Sequence, residues 1–410
     1  MPDSTTASRS ALASKNFRIF LCGNAISVIG LWVQRLTLGW QAWELSESPL
    51  VVGLVAGAQF MPLFLLTPFF GVLVDRIRRR RGAIVMHVIM TVISAILALL
   101  TLRGAINIQW LLSLALANGI AYSAYSPIRL SLIPDLVDRA QFPNAVAINS
   151  IVFNASRFIG PGIAGGIVAL YGVGFAYAVN AVTYLPVIVA LMFVKTAAAA
   201  PKPGTGSSYR EQLLEGLRYT RQHPTIRRVI LIAGVSTFFG RGIIEIFPAL
   251  SVLIFDGDSA VLAAMMAAAG AGAIGASVMF SLLRSHRHLP AMVLAGAIGV
   301  GAALLLFANV SRIEYGLAVT AMLGFFATMV SIGSQSEMQI KVDDGLRGRV
   351  MSLWTLTVIG GPAIGSIVAG ALASELGPTY TLSLFAVISL LLTLLVTLCQ
   401  PAGGPGRHQD

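Results

Sequence analysis

Residues 75–103 read DRIRRRRGAIVMHVIMTVISAILALLTLR. Five arginines crowd the first seven positions, a sixth closes the stretch, and the 21 residues of 82–102 between them carry no ionisable side chain except His87. A helix rising 1.5 Å per residue needs about 20 apolar residues to cross roughly 30 Å of hydrocarbon. A run of that length, held at one end by a basic cluster, reads as a membrane-spanning helix whose basic end faces the cytoplasm.

The same pattern recurs along all 410 residues, with spans expected at 17–43, 49–74, 82–102, 108–133, 143–170, 173–194, 229–254, 259–283, 290–309, 313–340, 350–373 and 378–399. Composition agrees, since 56% of the residues are hydrophobic and 11% charged, with a mean hydropathy of +0.81. Soluble chains carry about 25% charged residues because their surfaces face water. A soluble enzyme and a disulfide scaffold are both excluded, Cys22 and Cys399 being the only cysteines and both lying in apolar runs. The polar opening, residues 1–16, lacks the apolar core and cleavage site of a secretory signal, so the first helix reads as an uncleaved span.

The expected fold is therefore all-α and integral to the membrane: twelve helices in two pseudo-symmetric six-helix halves. A cytoplasmic tail at 1–16 leads into the first half at 17–195. Residues 196–228 form a cytoplasmic linker, opening AAAAPKPGTGSS and continuing as a basic amphipathic helix expected on the membrane surface. The second half follows at 229–399 and a cytoplasmic tail at 400–410.

Net charge is +11, which suggests nucleic acid until the basic residues are placed. Of the 28 lysines and arginines, 22 fall on the side of the termini, only Arg103 and Arg312 on the other, and Arg35, Arg129, Arg157 and Arg241 inside spans. That asymmetry is the positive-inside pattern of a plasma-membrane protein (the inner membrane where there are two) with both termini cytoplasmic. No nucleic-acid partner is needed to explain it. Two offsets hint at related halves: 201 lays Gly160-Pro161 on Gly361-Pro362, and 210 lays Ser27, Gly30 and Arg35 on Thr237, Gly240 and Glu245.

The second span ends Gly71-Val72-Leu73-Val74-Asp75-Arg76-Ile77-Arg78-Arg79-Arg80. This resembles the loop signature of the major facilitator superfamily, Gly-x-Leu-Ala-Asp-Arg-x-Gly-Arg-Arg, with Arg78 in place of the second glycine. The resemblance implies a latch between the halves built on Asp75, Arg76 and Arg79, with Asp135 and Arg129 near it; a plain positive-inside anchor is the competing reading. Helix five, with Arg157-Phe158-Ile159-Gly160-Pro161-Gly162, is similar to the glycine-proline signature of the superfamily's antiporters. The stretches GWQAWELSESPLVVGLV, SLIPDLVDRAQFPNAVAINS, EGLRYTRQHPTIRR and DDGLRGRVMSLW resemble the branch that includes the enterobactin exporter and related drug and macrolide efflux proteins.

Polar groups inside spans are the candidate functional residues, because ionisable side chains in hydrocarbon cost a few kcal/mol and face a cavity or a partner. At 100° per residue Asn24, Ser27, Gln34, Arg35 and Gln41 share one face of the first helix, and Asn118, Tyr122, Tyr125 and Arg129 one face of the fourth. Both stripes, with Arg157, read either as cavity lining or as interhelical hydrogen bonding. Glu337 and Lys341 are spaced i, i+4, and Glu337 stands as a candidate for proton coupling. Glu245 has two candidate partners, Arg241 on its own helix and Arg35 across the halves; only the second pairing would make a gate, and Arg241 and Glu245 stand as candidates for gating or proton coupling.

No phosphate-binding loop and no metal-ligand pattern occurs, so neither ATP nor a metal nor any other cofactor is expected. The resemblance implies a secondary transporter working by alternating access, one that exports an amphipathic drug-like or siderophore-like molecule against protons as coupling ion. Its partners are that small molecule, protons and the lipid bilayer, and the chain is expected to be a monomer. A lysolipid transporter and a non-transporting sensor or assembly protein on the same fold are the alternatives.

Overall fold

A computed structural model of the chain describes residues 10–74, 77–194, 209–283, 286–343 and 346–399. Among these residues there is no strand. The first helices are α1 (Lys15–Ser46), α2 (Pro49–Val74), α3 (Arg79–Leu102), α4 (Ile108–Leu132), α5 (Phe142–Tyr171), α6 (Val173–Thr183) and α7 (Leu185–Phe193). After the linker come α8 (Tyr209–Gln222), α9 (Pro224–Ser236), α10 (Gly242–Glu245), α11 (Phe247–Phe255), α12 (Ser259–Leu282), α13 (Leu289–Phe307), α14 (Ile313–Lys341), α15 (Arg347–Leu376) and α16 (Pro378–Cys399).

Ten described helices are long and apolar enough to cross a membrane, or eleven when the pair Pro224–Glu245 and Phe247–Phe255, bent by 64°, counts as one span. The remaining expected span coincides with α4, a helix of 25 residues that is not among those ten. Its Gln109, Asn118 and Arg129 and its serines and tyrosines lower its hydropathy, so the polar stripe that makes α4 interesting also hides it from an apolarity test. The 64° bend has a local cause at the break: Ile246 leaves helical geometry (φ −100°, ψ 12°), and Pro248 at the start of α11 cannot donate a backbone hydrogen bond.

Contacts divide the chain into two compact units, 1–41 with 65–205 and 42–64 with 206–410. The sequence places residues 42–64 with the first half; their packing places them with the second. Gly53 of α2 lies against the Ser366 carbonyl of α15, and Gly370 of α15 lies against the Pro49 carbonyl. The Leu50 N–H donates to Ser374 Oγ (3.0 Å) and Ser366 Oγ donates to the Gly53 carbonyl (3.3 Å). Small residues allow two backbones this near each other, and in hydrocarbon such contact is a main source of helix association.

One face of the linker helix α8 packs on the protein. Gly216, Tyr219 and Thr220 turn to the protein. Gly216 sits on the Arg349 backbone, Glu215 pairs with Arg349, and the Tyr219 hydroxyl donates to Asp343 (3.1 Å). Burial pushes the Tyr219 hydroxyl above its ordinary pKa, which keeps it a donor to that carboxylate.

The two halves do repeat, in a different register from the one the glycine-proline pairs suggest. Ile108 and Ile313 open α4 and α14, Leu102 and Phe307 close α3 and α13, and Gly172 and Gly377 end α5 and α15, each pair 205 residues apart. Gly172 (φ 80°, ψ 169°) and Gly377 (φ 82°, ψ 165°) share a conformation that side chains avoid. Gly160 is thus matched by Gly365: the former meets Trp32 on α1, and the latter meets Phe238 in the corresponding π segment, Thr237–Arg241. The offset of 201 errs by four residues, about one helical turn, which preserves the helix face and explains why it looked plausible.

Candidate functional site

The polar stripe of α1 is spent inside the first unit. Asn24 Nδ2 donates to Asn149 Oδ1 (3.4 Å) and its Oδ1 accepts from the Tyr125 hydroxyl (3.2 Å). Gln34 Oε1 accepts from Ser94 Oγ (2.6 Å) and from Asn180, while Gln41 accepts from Tyr177 (2.8 Å) and donates to Thr101 (2.8 Å). These bonds join α1 to α3, α4, α5 and α6, so Asn24 and Gln34 serve as interhelical ties. Gly30 lets α1 approach Asn180 and Thr183 within this network.

The arginines behave differently. The Arg35 guanidinium lies 4.8 Å and that of Arg157 5.6 Å from the centre of the Trp32 ring. Phe153, four residues before Arg157, meets Trp32 edge to face at 5.8 Å, and Arg129 stands 5.5 Å from the Phe153 ring. Gly160 makes this possible, since it brings α5 onto Trp32. Arg129 Nε and Nη1 and Trp32 Nε1 are buried without a hydrogen-bond partner among the described residues. All three groups are donors only.

Arg129 also borders a small cavity, about 10 Å³, with Ser27, His87, Tyr122, Tyr125 and Tyr184. His87 is fully buried. Its Nδ1 lies 2.8 Å from the Ala83 carbonyl, which can only accept, so Nδ1 carries the proton. Nε2, 3.3 Å from Ser27 Oγ, then accepts from that hydroxyl. Tyr125 meets the imidazole edge to face at 4.4 Å. Sequence reasoning passed over His87 because it belongs to no metal pattern, although it is the only ionisable side chain of 82–102.

The remaining expected residues are dispersed. Asp75 and Arg76 lie outside the described residues. Arg79 binds both oxygens of Asp135 (3.1 Å each) and the Ser131 carbonyl (3.1 Å), so Asp135 is engaged without Arg129. Asn118 is buried, its Oδ1 without a described partner. In the second unit Arg241 ends the π segment and Glu245 ends α10, while Glu337 accepts from Lys341 (2.7 Å). By the 205-residue register, Tyr122, Tyr125 and Arg129 correspond to Ala327, Val330 and Ser334. Ser334 Oγ accepts from Trp354 Nε1 (3.0 Å), so the second unit has no equivalent cation there.

Comparison with known proteins agrees with this architecture. The family model described as transmembrane secretion effector matches residues 6–402. The staphyloferrin A transporter of Staphylococcus aureus is 23% identical over 381 residues, covering 92% of this chain and 94% of its own length. The enterobactin exporter of Escherichia coli O1:K1 is 26% identical over 396 residues, covering 93% and 92% respectively. Among solved structures, a nucleoside transporter superposes with a TM-score of 0.73 at 13% identity over 94% of this chain and 99% of its own. A bacterial homologue of the human lysosomal transporter Spinster gives a TM-score of 0.70 at 16% identity, over 94% and 98%. The chain belongs to the transmembrane secretion effector family of the major facilitator superfamily, and it is a multi-pass membrane transporter of a small molecule rather than an enzyme.

Proposed function

We propose that the protein exports an amphipathic molecule carrying anionic or acceptor-rich groups, by alternating access and with protons as coupling ion. The observation that carries this reading is the line of Arg35, Arg157 and Arg129 along Trp32 and Phe153. Aromatic faces hold the apolar part of a ligand, and guanidinium groups hold its acceptors. The relatives named as a staphyloferrin A transporter and an enterobactin exporter favour a siderophore-like cargo, and the second name favours the outward direction. The deciding experiment compares metabolites exported by cells with and without the protein. A missing acidic amphipathic compound is the expected result, and identical export profiles would sink the reading.

Alternating access has its own test at the α2–α15 contact. In a variant whose Cys22 and Cys399 are serine, Leu50→Cys with Ser374→Cys should cross-link on oxidation, because the Leu50 N–H already bonds Ser374 Oγ at 3.0 Å. If transport requires α2 and α15 to part, the cross-link abolishes it and a reductant restores it. Undiminished transport by the cross-linked protein would show that this contact never opens.

Orientation is tested in the same cysteine-free background. Ala260, exposed near the start of α12, should react as cysteine with an impermeant thiol reagent applied to intact cells. Cysteines at Ser207 and Ser285, positions outside the described residues, should stay shielded. The opposite labelling pattern would place the termini outside.

A further inference from the structure

The arginine run ahead of α3 divides by direction. Arg79 turns to Asp135, and Arg80 Nη1 donates to the Val194 carbonyl (3.0 Å). Arg78 and Arg81, three positions apart and so on one side of the first turn, are exposed, and neither forms an ion pair with a described residue. Both line a groove of about 510 Å³ whose other walls are apolar, among them Leu73 of α2, Val85 of α3, and Ala124 and Ile128 of α4. Grooves of roughly 300–1,000 Å³ hold organic ligands. Val85 sits six residues into α3, about 9 Å along the helix axis at 1.5 Å per residue, so the groove runs from the headgroup level into hydrocarbon.

We propose that this groove binds a phospholipid with an anionic headgroup, its phosphate on Arg78 and Arg81 and an acyl chain along Leu73, Val85 and Ile128. The chemistry of the walls selects that occupant. Two cations at the rim attract a phosphate, and the apolar floor suits a chain that a free phosphate lacks. The arginine excess assigns this end of α3 to the cytoplasmic side, where anionic lipids supply a negative surface potential. The N-cap residue of α3, Arg78, makes no side-chain capping hydrogen bond, and the positive amino end of the helix adds to the same field. The site is separate from the Trp32 and Arg129 cluster and does not depend on what the protein transports.

The test uses the purified full-length chain in detergent, titrated with dioleoyl phosphatidylglycerol or dioleoyl phosphatidylcholine and read by native mass spectrometry. Phosphatidylglycerol should bind at least about tenfold more tightly, and Arg78→Gln with Arg81→Gln should weaken it about 30-fold, since each arginine near a membrane surface contributes about fivefold. Val85→Trp, which fills the groove and leaves both arginines, should weaken both lipids. Inorganic phosphate should not displace the bound lipid. Equal binding of the two lipids by the unaltered protein would overturn the proposal, as would displacement by phosphate or undiminished binding in either variant. The first two comparisons need no variant to fold.

Discussion

Arg129→Gln should leave the protein inserted and at least as stable as before, yet lower export by about 10- to 100-fold. The size follows from hydrogen bonds to a charged group, about 1.5–3 kcal/mol each, lost between the ligand and the guanidinium. The sign of the stability change follows from the site itself. Nε and Nη1 of Arg129 are buried without a described partner, and Phe153 offers only a cation–π contact at 5.5 Å. Such a group is costly to keep in hydrocarbon, and removing it relieves that cost. Arg129→Lys should fall between, since the charge persists while the planar fork of donors is lost. Export is measured on whichever metabolite separates cells with and without the protein, and stability by thermal unfolding in detergent. Full export by Arg129→Gln would reduce Arg129 to a residue reaching for the membrane surface. Loss of export together with lower stability would make it a structural tie instead.

Much of the architecture was open to reading because spans are long. An apolar run such as 82–102 leaves little freedom in hydrocarbon, where every backbone group must be satisfied within the helix. What the runs could not reveal was the direction of each side chain. Asn24, Gln34 and Gln41 share a face with Arg35, and only packing shows that the amides bind α3 to α6 while the guanidinium meets Trp32. One aromatic partner was nevertheless written in the spacing, with Trp32 three residues before Arg35, whereas Arg157 meets Trp32 and Arg129 meets Phe153 across helices. His87 left no such trace, because its neighbours Ser27, Tyr125 and Tyr184 come from distant segments. The assignment of residues 42–64 to the second unit was hidden for the same reason, since it rests on Gly53 and Gly370 meeting carbonyl groups more than 300 residues away.

The second large effect concerns Glu337 and Lys341. Glu337 is 3% exposed and its Oε1 accepts from Lys341 Nζ at 2.7 Å, while Oε2 is buried without a described partner. Lys341→Met therefore strands a buried carboxylate. Breaking a fully buried pair costs about 3–5 kcal/mol, and because Lys341 is 42% exposed the expected loss is smaller, about 2 kcal/mol. Glu337→Gln removes the charge that needs compensation and should cost less, and Glu337→Gln with Lys341→Met should recover most of what Lys341→Met loses. Thermal unfolding of the four proteins in detergent measures this order. Equal losses from the two single changes, with no recovery in the double, would show that the pair adds nothing beyond its separate contacts. The same variants address coupling. A carboxylate that only completes an ion pair can be replaced by an amide with export intact. One that carries a proton cannot, so Glu337→Gln should then abolish proton-driven export while remaining as stable as the pair analysis requires. The stranded oxygen Oε2, already without a partner in an apolar setting, is the atom on which that proton would sit.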